Sequence, residues 1–388
     1  MKIFLAQQNY HIGNFEANTA KIIDAVNQAK EQGGDLIVFP ELAVCGYPPR
    51  DFLEFGDFID QSLAAVEKIS EVADTIGVLI GTPTRNPRPE GKNLFNSACL
   101  LYKKKVQGMV HKTLLPNYDI FDEYRYFEPA SEWNVLSFRG KKLAVTICED
   151  IWNLGDDPMY RICPMDKLMR HAPDIMINLS ASPFDYLHAD GRKWIVQQSV
   201  LRYRLPMVYC NAVGAQTEIV FDGGSLVMAA DGSLVTEKPY FSESLQAVIW
   251  NGDGTFEDAG QKSLSGITDP SLLPATLQPG LNIGKIHQAL LLGIRDYFGK
   301  MGFTKAIVAS SGGIDSAVVL AVACEALGPQ NVTALLLPSQ FSTDHSVNDA
   351  VQLSVNLGNQ YHIIPIKNVF AAYEDALKPS FKDLPFNV

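Results

Sequence analysis

The chain has 388 residues, which at about 150 residues per domain allows two or three domains. Hydrophobic residues make up 47% and charged residues 19%, against roughly 25% charged in an average protein, so a disordered tail is excluded and a well-filled core is expected. Forty-three acidic against 32 basic residues give a formal charge of −11, which argues against an extended phosphate-backbone surface and hence against nucleic acid as a partner.

No apolar run approaches the roughly 18 to 20 residues a membrane helix needs, and Met1 to Gln8 enters a strand without a signal-peptide core, so a cytoplasmic protein with no membrane partner is expected. The six cysteines, at 45, 99, 148, 163, 210 and 324, are too dispersed for a disulfide framework or a Cys-x-x-Cys zinc site.

In chain order, Lys2 to Ala6 reads as a buried strand. Asn14 then caps a helix whose apolar positions are Ala17, Ala20, Ile23, Val26 and Ala29. Compact apolar strands follow at Asp35 to Phe39, Val78 to Gly81, Leu143 to Ile147, Asp174 to Leu179 and Pro206 to Cys210. Two hairpins are expected, Ser97 to Tyr102 with Val106 to Val110 and Ser225 to Ala229 with Ser233 to Thr236, so the sheets should be mixed.

Periodicity fades from Asn251 to Gly280, where Gly, Pro, Ser and Asp accumulate as in a linker. Beyond it strand and helix alternate: helix Ile283 to Phe298, strand Ala306 to Ala309, helix Ser316 to Leu327, strand Val332 to Leu337, a helix around Ser346 to Leu357 and strand Tyr361 to Ile366. That order predicts a parallel α/β domain. The expected division is therefore residues 1–250, a linker over 251–280, and 281–388.

Three segments of the first domain share one grammar, in which an apolar strand delivers a reactive side chain to its carboxyl end: Glu41 after Leu36 to Pro40, Lys112 after Met109 to His111, and Cys148 after Leu143 to Ile147. A sheet holds such positions rigid while the following loop leaves them accessible. Thiol, carboxylate and ammonium together suit acyl transfer, with a nucleophile, a proton carrier and an oxyanion partner. A lone cysteine after a strand is most often a packing residue, and composition does not single out Cys148 from the other five.

The motifs do single it out. Phe-Pro-Glu-Leu at 39–42, His-Lys-Thr-Leu-Leu-Pro at 111–116 and Cys-Glu-Asp at 148–150 resemble, in that order, the three signatures of the nitrilase (carbon–nitrogen hydrolase) superfamily. Gly46-Tyr47-Pro48-Pro49, the stretch Asn178 to Pro183, and Phe221 to Ser225 extend the resemblance over roughly residues 1–250. It implies an α-β-β-α sandwich, with Glu41 as general base, Lys112 as oxyanion partner, Cys148 as nucleophile and Glu123 as a second, organising glutamate. No tightly bound cofactor is implied for this domain. Tyr118 and Ser182 resemble the glutamine contacts of a glutaminase branch. A third contact falls on His188 by counting, or on Arg192 or Lys193 if the loop is longer. Trp152 is a candidate pocket wall or a core residue.

In the second domain, strand Ala306 to Ala309 runs through Ser310-Ser311-Gly312-Gly313-Ile314-Asp315-Ser316 into a helix. Glycines admit phosphate oxygens close to the backbone, and a helix amino terminus favours the anion. Neither Gly-Lys-Ser/Thr nor Gly-x-Gly-x-x-Gly is present. The string resembles the loop of the N-type ATP pyrophosphatases, which implies that Ser310, Ser311, Gly312, Gly313, Asp315 and Ser316 line an ATP site, with Leu337 beside the nucleoside and Mg2+ balancing the phosphates.

This pairing of domains resembles the glutamine-dependent NAD synthetase family. The resemblance implies glutamine, ATP and deamido-NAD as substrates, internal transfer of ammonia, and assembly as a homo-oligomer. GMP and asparagine synthetases pair the same ATP chemistry with other kinds of glutaminase. Because the family's synthetase domain extends well beyond Val388, the 388-residue chain is expected to keep glutaminase chemistry and to make NAD poorly. The alternatives are a stand-alone amidase for another small amide, and a nucleotide-binding module without turnover.

Overall fold

The computed structural model describes residues 1–154, 158–257, 267, 269 and 278–380. The first unit runs β1 (Lys2–Gln7), α1 (Phe15–Glu31), β2 (Leu36–Val38), α2 (Gly56–Val72), β3 (Gly77–Arg85), β4 (Leu94–Tyr102), β5 (Lys105–His111), β6 (Leu136–Phe138) and β7 (Lys141–Ile147). It continues through α3 (Pro164–Leu168), β8 (Ile175–Ser180), α4 (His188–Tyr203), β9 (Met207–Asn211), β10 (Val213–Gln216), β11 (Ile219–Asp222), β12 (Leu226–Met228), β13 (Leu234–Glu237) and β14 (Ser244–Ile249). Then come α5 (Pro279–Met301), β15 (Ala306–Ala309), α6 (Ile314–Leu327), β16 (Val332–Leu336), α7 (Asp344–Leu357), β17 (Gln360–Ile363) and α8 (Lys367–Leu377).

Two six-stranded sheets form the first unit, ordered β14-β1-β2-β3-β4-β5 and β13-β12-β9-β8-β7-β6, with β10 and β11 as a separate hairpin. Strand alternation sorts side chains between layers. Ile3 and Leu5 of β1 meet Leu36, Val38, Ile147, Ile177 and Val208 in the core between the sheets. Phe4 and Ala6 point the other way, onto Ile22, Val26 and Ile69 of α1 and α2. On the far side, Met176 and Tyr209 pack against Val196 and Val200 of α4. The result is the expected α-β-β-α sandwich.

The apolar face expected for α1 is turned by about one position. Asn14 does cap the helix, accepting from the Ala17 N–H, but the buried residues are Asn18, Thr19, Ile22, Ala25, Val26 and Ala29, while Ala17 and Ala20 are exposed. The cause is Asn18, whose amide bonds the carbonyls of His11 at 2.9 Å and Val44 at 3.2 Å and so belongs inside.

Packing divides the chain into Met1–Ala289 and Leu290–Val388. That division falls within α5 instead of in the stretch read as a linker. Helix α5 begins at Pro279, ahead of the expected Ile283, and Asn282 donates to the Tyr186 carbonyl at 3.2 Å, which holds its first turn to the first unit. Residues 251–257 fold back onto the first sheet: Trp250 bridges Phe256, and Glu257 N–H bonds the Ile249 carbonyl. Most of the remaining linker, residues 258–277 apart from 267 and 269, lies outside the described residues.

The second unit carries a parallel sheet ordered β15-β16-β17, with Leu320, Ala323, Val332, Ala334 and Ala350 in its core.

Candidate active site

Glu41 follows β2 on a backbone pressed against β3. The Val44 N–H reaches the Gly81 carbonyl, and a Cβ at Gly81 would lie 2.4 Å from the Leu42 nitrogen, so residue 81 has no room for a side chain. Lys112 follows β5, its own N–H bonded to the Asn96 carbonyl of β4 at 2.8 Å. Cys148 follows β7 of the other sheet, in left-handed backbone at φ 44°. The first sheet thus supplies the acid and the amine, and the second supplies the thiol.

Their side chains converge. The Lys112 Nζ donates to Glu41 Oε1 at 2.7 Å and to Glu123 Oε1 at 2.8 Å, in a place where the lysine side chain is fully buried. Glu41 Oε1 also accepts from Asn96 Nδ2 at 2.7 Å, and its Oε2 accepts the Ala181 N–H at 3.1 Å. Glu123, in a 3-10 turn, accepts from the Tyr47 hydroxyl at 2.7 Å. Asn96 and Tyr47 were not singled out as site residues by sequence, since each meets its glutamate across more than fifty residues of chain.

Burial alone favours the neutral amine of Lys112, yet the carboxylates of Glu123 and Glu41 hold its pKa well above the usual lysine value. Burial pushes Glu123 upward, against the pull of Lys112. Its Oε2 is buried without a hydrogen-bond partner, which also favours a proton there. Burial, then the Glu41 charge, raises the Cys148 thiol well above its ordinary value, with Lys112 opposing. The resting group is therefore a thiol.

Cys148 opens onto a cavity of about 450 Å³, within the range of small-molecule sites. Tyr118, Trp152 and Ser182 line it, together with Glu149, Phe184 and Val220. Glu149 was not marked by sequence as a site residue. Its Oε1 accepts from Tyr118 at 2.9 Å and from Tyr160 at 3.1 Å, and burial raises its pKa. The signal was its place beside the thiol, in a motif read for Cys148 alone.

The backbone of His188 opens α4, and its side chain lies outside the described residues. The two substitutes for it are engaged elsewhere. Arg192 is buried in a two-pronged pair with Asp222, at 2.8 and 2.7 Å, and Lys193 pairs with Asp190 and Glu237. Neither lines the cavity. A buried guanidinium held by a carboxylate cannot turn outward without stranding that carboxylate.

In the second unit, Ser310, Ser311 and Leu337 line a cavity of about 150 Å³ with Pro338, Ser342 and Val347. Gly312, Gly313, Asp315 and Ser316 are outside that lining and shape the loop into α6. Ser316 Oγ accepts the Ser311 N–H at 3.1 Å and donates to the Gly313 carbonyl at 2.9 Å. Gly312 sits at φ 84°, where a Cβ would lie 2.1 Å from the Ser346 carbonyl oxygen. The buried Ser310 hydroxyl has no partner, and the first-turn N–H groups of α6 have no helical acceptor. Among the described residues, no group of three or more His, Cys, Asp or Glu could hold a metal ion, and no helix is long and apolar enough to cross a membrane.

The carbon-nitrogen hydrolase family model matches residues 2–249, and the NAD synthase model matches residues 286–386. A glutamine-dependent NAD(+) synthetase of Synechocystis sp. is 38% identical over 393 residues, covering 100% of this chain and 68% of that protein. One from Thermotoga maritima is 34% identical over 98% of this chain and 68% of its own length. The structure of glutamine-dependent NAD+ synthetase from Acinetobacter baumannii in complex with ADP superposes with a TM-score of 0.84 at 32% identity, over 100% of this chain and 68% of that one. A nitrilase-superfamily amidase from Nesterenkonia AN1, at 22% identity and TM-score 0.55, covers 65% of this chain and 92% of its own, and shares the fold of the first unit.

Proposed function

The chain belongs to the glutamine-dependent NAD(+) synthetases, carbon–nitrogen ligases that take their nitrogen from glutamine, and from that premise we propose how its own residues divide the work. Cys148 Sγ attacks the carboxamide carbon of glutamine. The thiol proton passes through Glu41 to the leaving nitrogen, the C–N bond breaks, and ammonia departs from a γ-glutamyl thioester. Water, deprotonated by Glu41, then cleaves the thioester to glutamate and regenerates the thiol. Lys112 stabilises the oxyanion in both halves, and its charge is held by Glu41 and Glu123 before the substrate arrives.

The observation that carries this reading is the buried Glu41–Lys112–Glu123 chain together with the Cys148 thiol in the lining of a cavity of small-molecule size. Glu149, Tyr118 and Ser182 line the same cavity. The Glu149 carboxylate offers a place for the α-ammonium of glutamine, which simple aliphatic amides lack. Ammonia release from glutamine compared with acetamide and propionamide tests this: glutamine must win by orders of magnitude, and equal rates would favour a general amidase.

For the second unit we propose ATP at the Ser310–Ser316 loop, with its phosphates at the amino end of α6 and Leu337 beside the nucleoside. Mg2+ would arrive with the nucleotide, and the ammonia would amidate adenylated deamido-NAD. We also propose that residues 1–388 alone hydrolyse glutamine but form NAD poorly. Among the described residues, strand β17 is exposed along its length and Ile307 of β15 is 71% exposed, so this sheet is incompletely covered. ATP-dependent NAD formation at rates matching glutamine hydrolysis would refute that. Homo-oligomerisation is proposed on the family alone, and light scattering on the purified chain decides it.

A further inference from the structure

Asp150 lies two residues beyond Cys148, is 2% exposed, and takes no part in the steps above. Its Oδ1 accepts the N–H groups of Thr113 at 2.9 Å and Leu114 at 2.8 Å, and its Oδ2 accepts the Ile147 N–H at 3.0 Å. Two of these donors directly follow Lys112, and the third directly precedes Cys148.

The placement matters because β5, which delivers Lys112, belongs to the first sheet, and β7, which delivers Cys148, belongs to the second. Between the sheets lies an apolar core, whose attraction is non-directional and fixes spacing loosely. Hydrogen bonds to one carboxylate are directional and short. We propose that Asp150 is a positioning residue for glutamine hydrolysis, setting the oxyanion cation of one sheet against the nucleophile of the other. The proposal rests on the roles given above to Lys112 and Cys148.

A carboxylate is the side chain that suits this task. An asparagine oxygen could satisfy Thr113 and Leu114, but its NH2 would then face the Ile147 N–H, donor against donor. The charge also suits the place: burial raises Asp150, the three N–H groups and Lys112 oppose it, and the balance falls at about 6, so the ionised form prevails at neutral pH.

The test is Asp150→Asn in the 388-residue chain, assayed by glutamine hydrolysis. A displacement of a few tenths of an ångström to 1 Å between cation and nucleophile lowers kcat by about 30-fold or more and leaves KM for glutamine within about threefold. A folded variant with kcat close to wild type, or one whose loss lies in KM, overturns the proposal. Should the variant not fold, the wild-type protein still decides the matter. In amide NMR titrations the Thr113, Leu114 and Ile147 resonances must move with one shared midpoint near 6. The Ala181 N–H, bonded to Glu41 and outside the Asp150 network, serves as the reference amide. Three independent midpoints overturn the proposal. Failure of the underlying reading looks different: a Cys148→Ala protein that still hydrolyses glutamine refutes the nucleophile, whatever Asp150 does.

Discussion

Replacing Glu41 by Gln preserves shape and removes one charge and one acceptor. In the native site Oε1 accepts from Lys112 at 2.7 Å and Asn96 at 2.7 Å, and Oε2 accepts the Ala181 N–H at 3.1 Å. A glutamine that keeps its oxygen toward Lys112 turns an NH2 against the Ala181 N–H. One charge-assisted bond becomes a neutral one and one is lost, which costs about 1–3 kcal/mol of stability. Lys112 retains Glu123 at 2.8 Å, so its charge is not stranded and the protein should fold. The chemical loss is larger. Because the resting Cys148 is a buried thiol, removal of its base should lower kcat for glutamine by about 10²–10⁴-fold, or roughly 3–5 kcal/mol of barrier. Coupled ammonia detection measures kcat, and iodoacetamide alkylation of Cys148 should slow in parallel. A folded Glu41→Gln protein keeping more than about a tenth of wild-type kcat would refute the assignment of Glu41 as proton carrier.

Gly81→Ala should destabilise the fold by about 1–3 kcal/mol in urea titrations and depress glutaminase activity, because its Cβ would strike the Leu42 backbone beside Glu41. Gly312→Ala should abolish ATP binding in calorimetry, since the added methyl collides with the Ser346 carbonyl and the loop leaves its left-handed conformation. Lys238 offers a pH test. Burial lowers its pKa to about 8, and its Nζ bonds Gln246 and Thr236, which are neutral. The unfolded chain therefore holds a proton there that the folded chain gives up, so between about pH 8 and 10.5 stability should rise with pH, by up to about 3 kcal/mol. Lys238→Met should flatten that rise in denaturation midpoints taken across the window, and an unchanged slope would contradict the burial argument.

The strands of the first unit were legible because they are short apolar runs closed by turn residues, whereas the α-β-β-α layering and the three reactive side chains were legible only through the motifs that resemble the nitrilase signatures, since a place after a strand did not set Cys148 apart from the other cysteines. Partnerships were not. Tyr47 meets Glu123 and Asn96 meets Glu41 only once distant strands and loops of the first sheet are assembled, and Asp150 meets the Lys112 loop only once the second sheet is packed on the first. The buried face of α1 was displaced by Asn18, a polar residue whose reason for burial lies in two distant carbonyls. Arg192 was offered as a glutamine contact because it stands a few residues past Ser182-Pro183, where the resemblance places a basic residue if the loop is longer. Its partner Asp222, thirty residues on, keeps it inside.

The most direct test of the central claim is intact-mass and peptide mapping after exposure to a glutamine-like diazoketone. A single adduct on the Cys148 peptide, suppressed by glutamine and absent from Cys148→Ala, is the predicted result. Continued glutamine hydrolysis with no adduct at Cys148, or an adduct at another cysteine that abolishes it, would contradict the account.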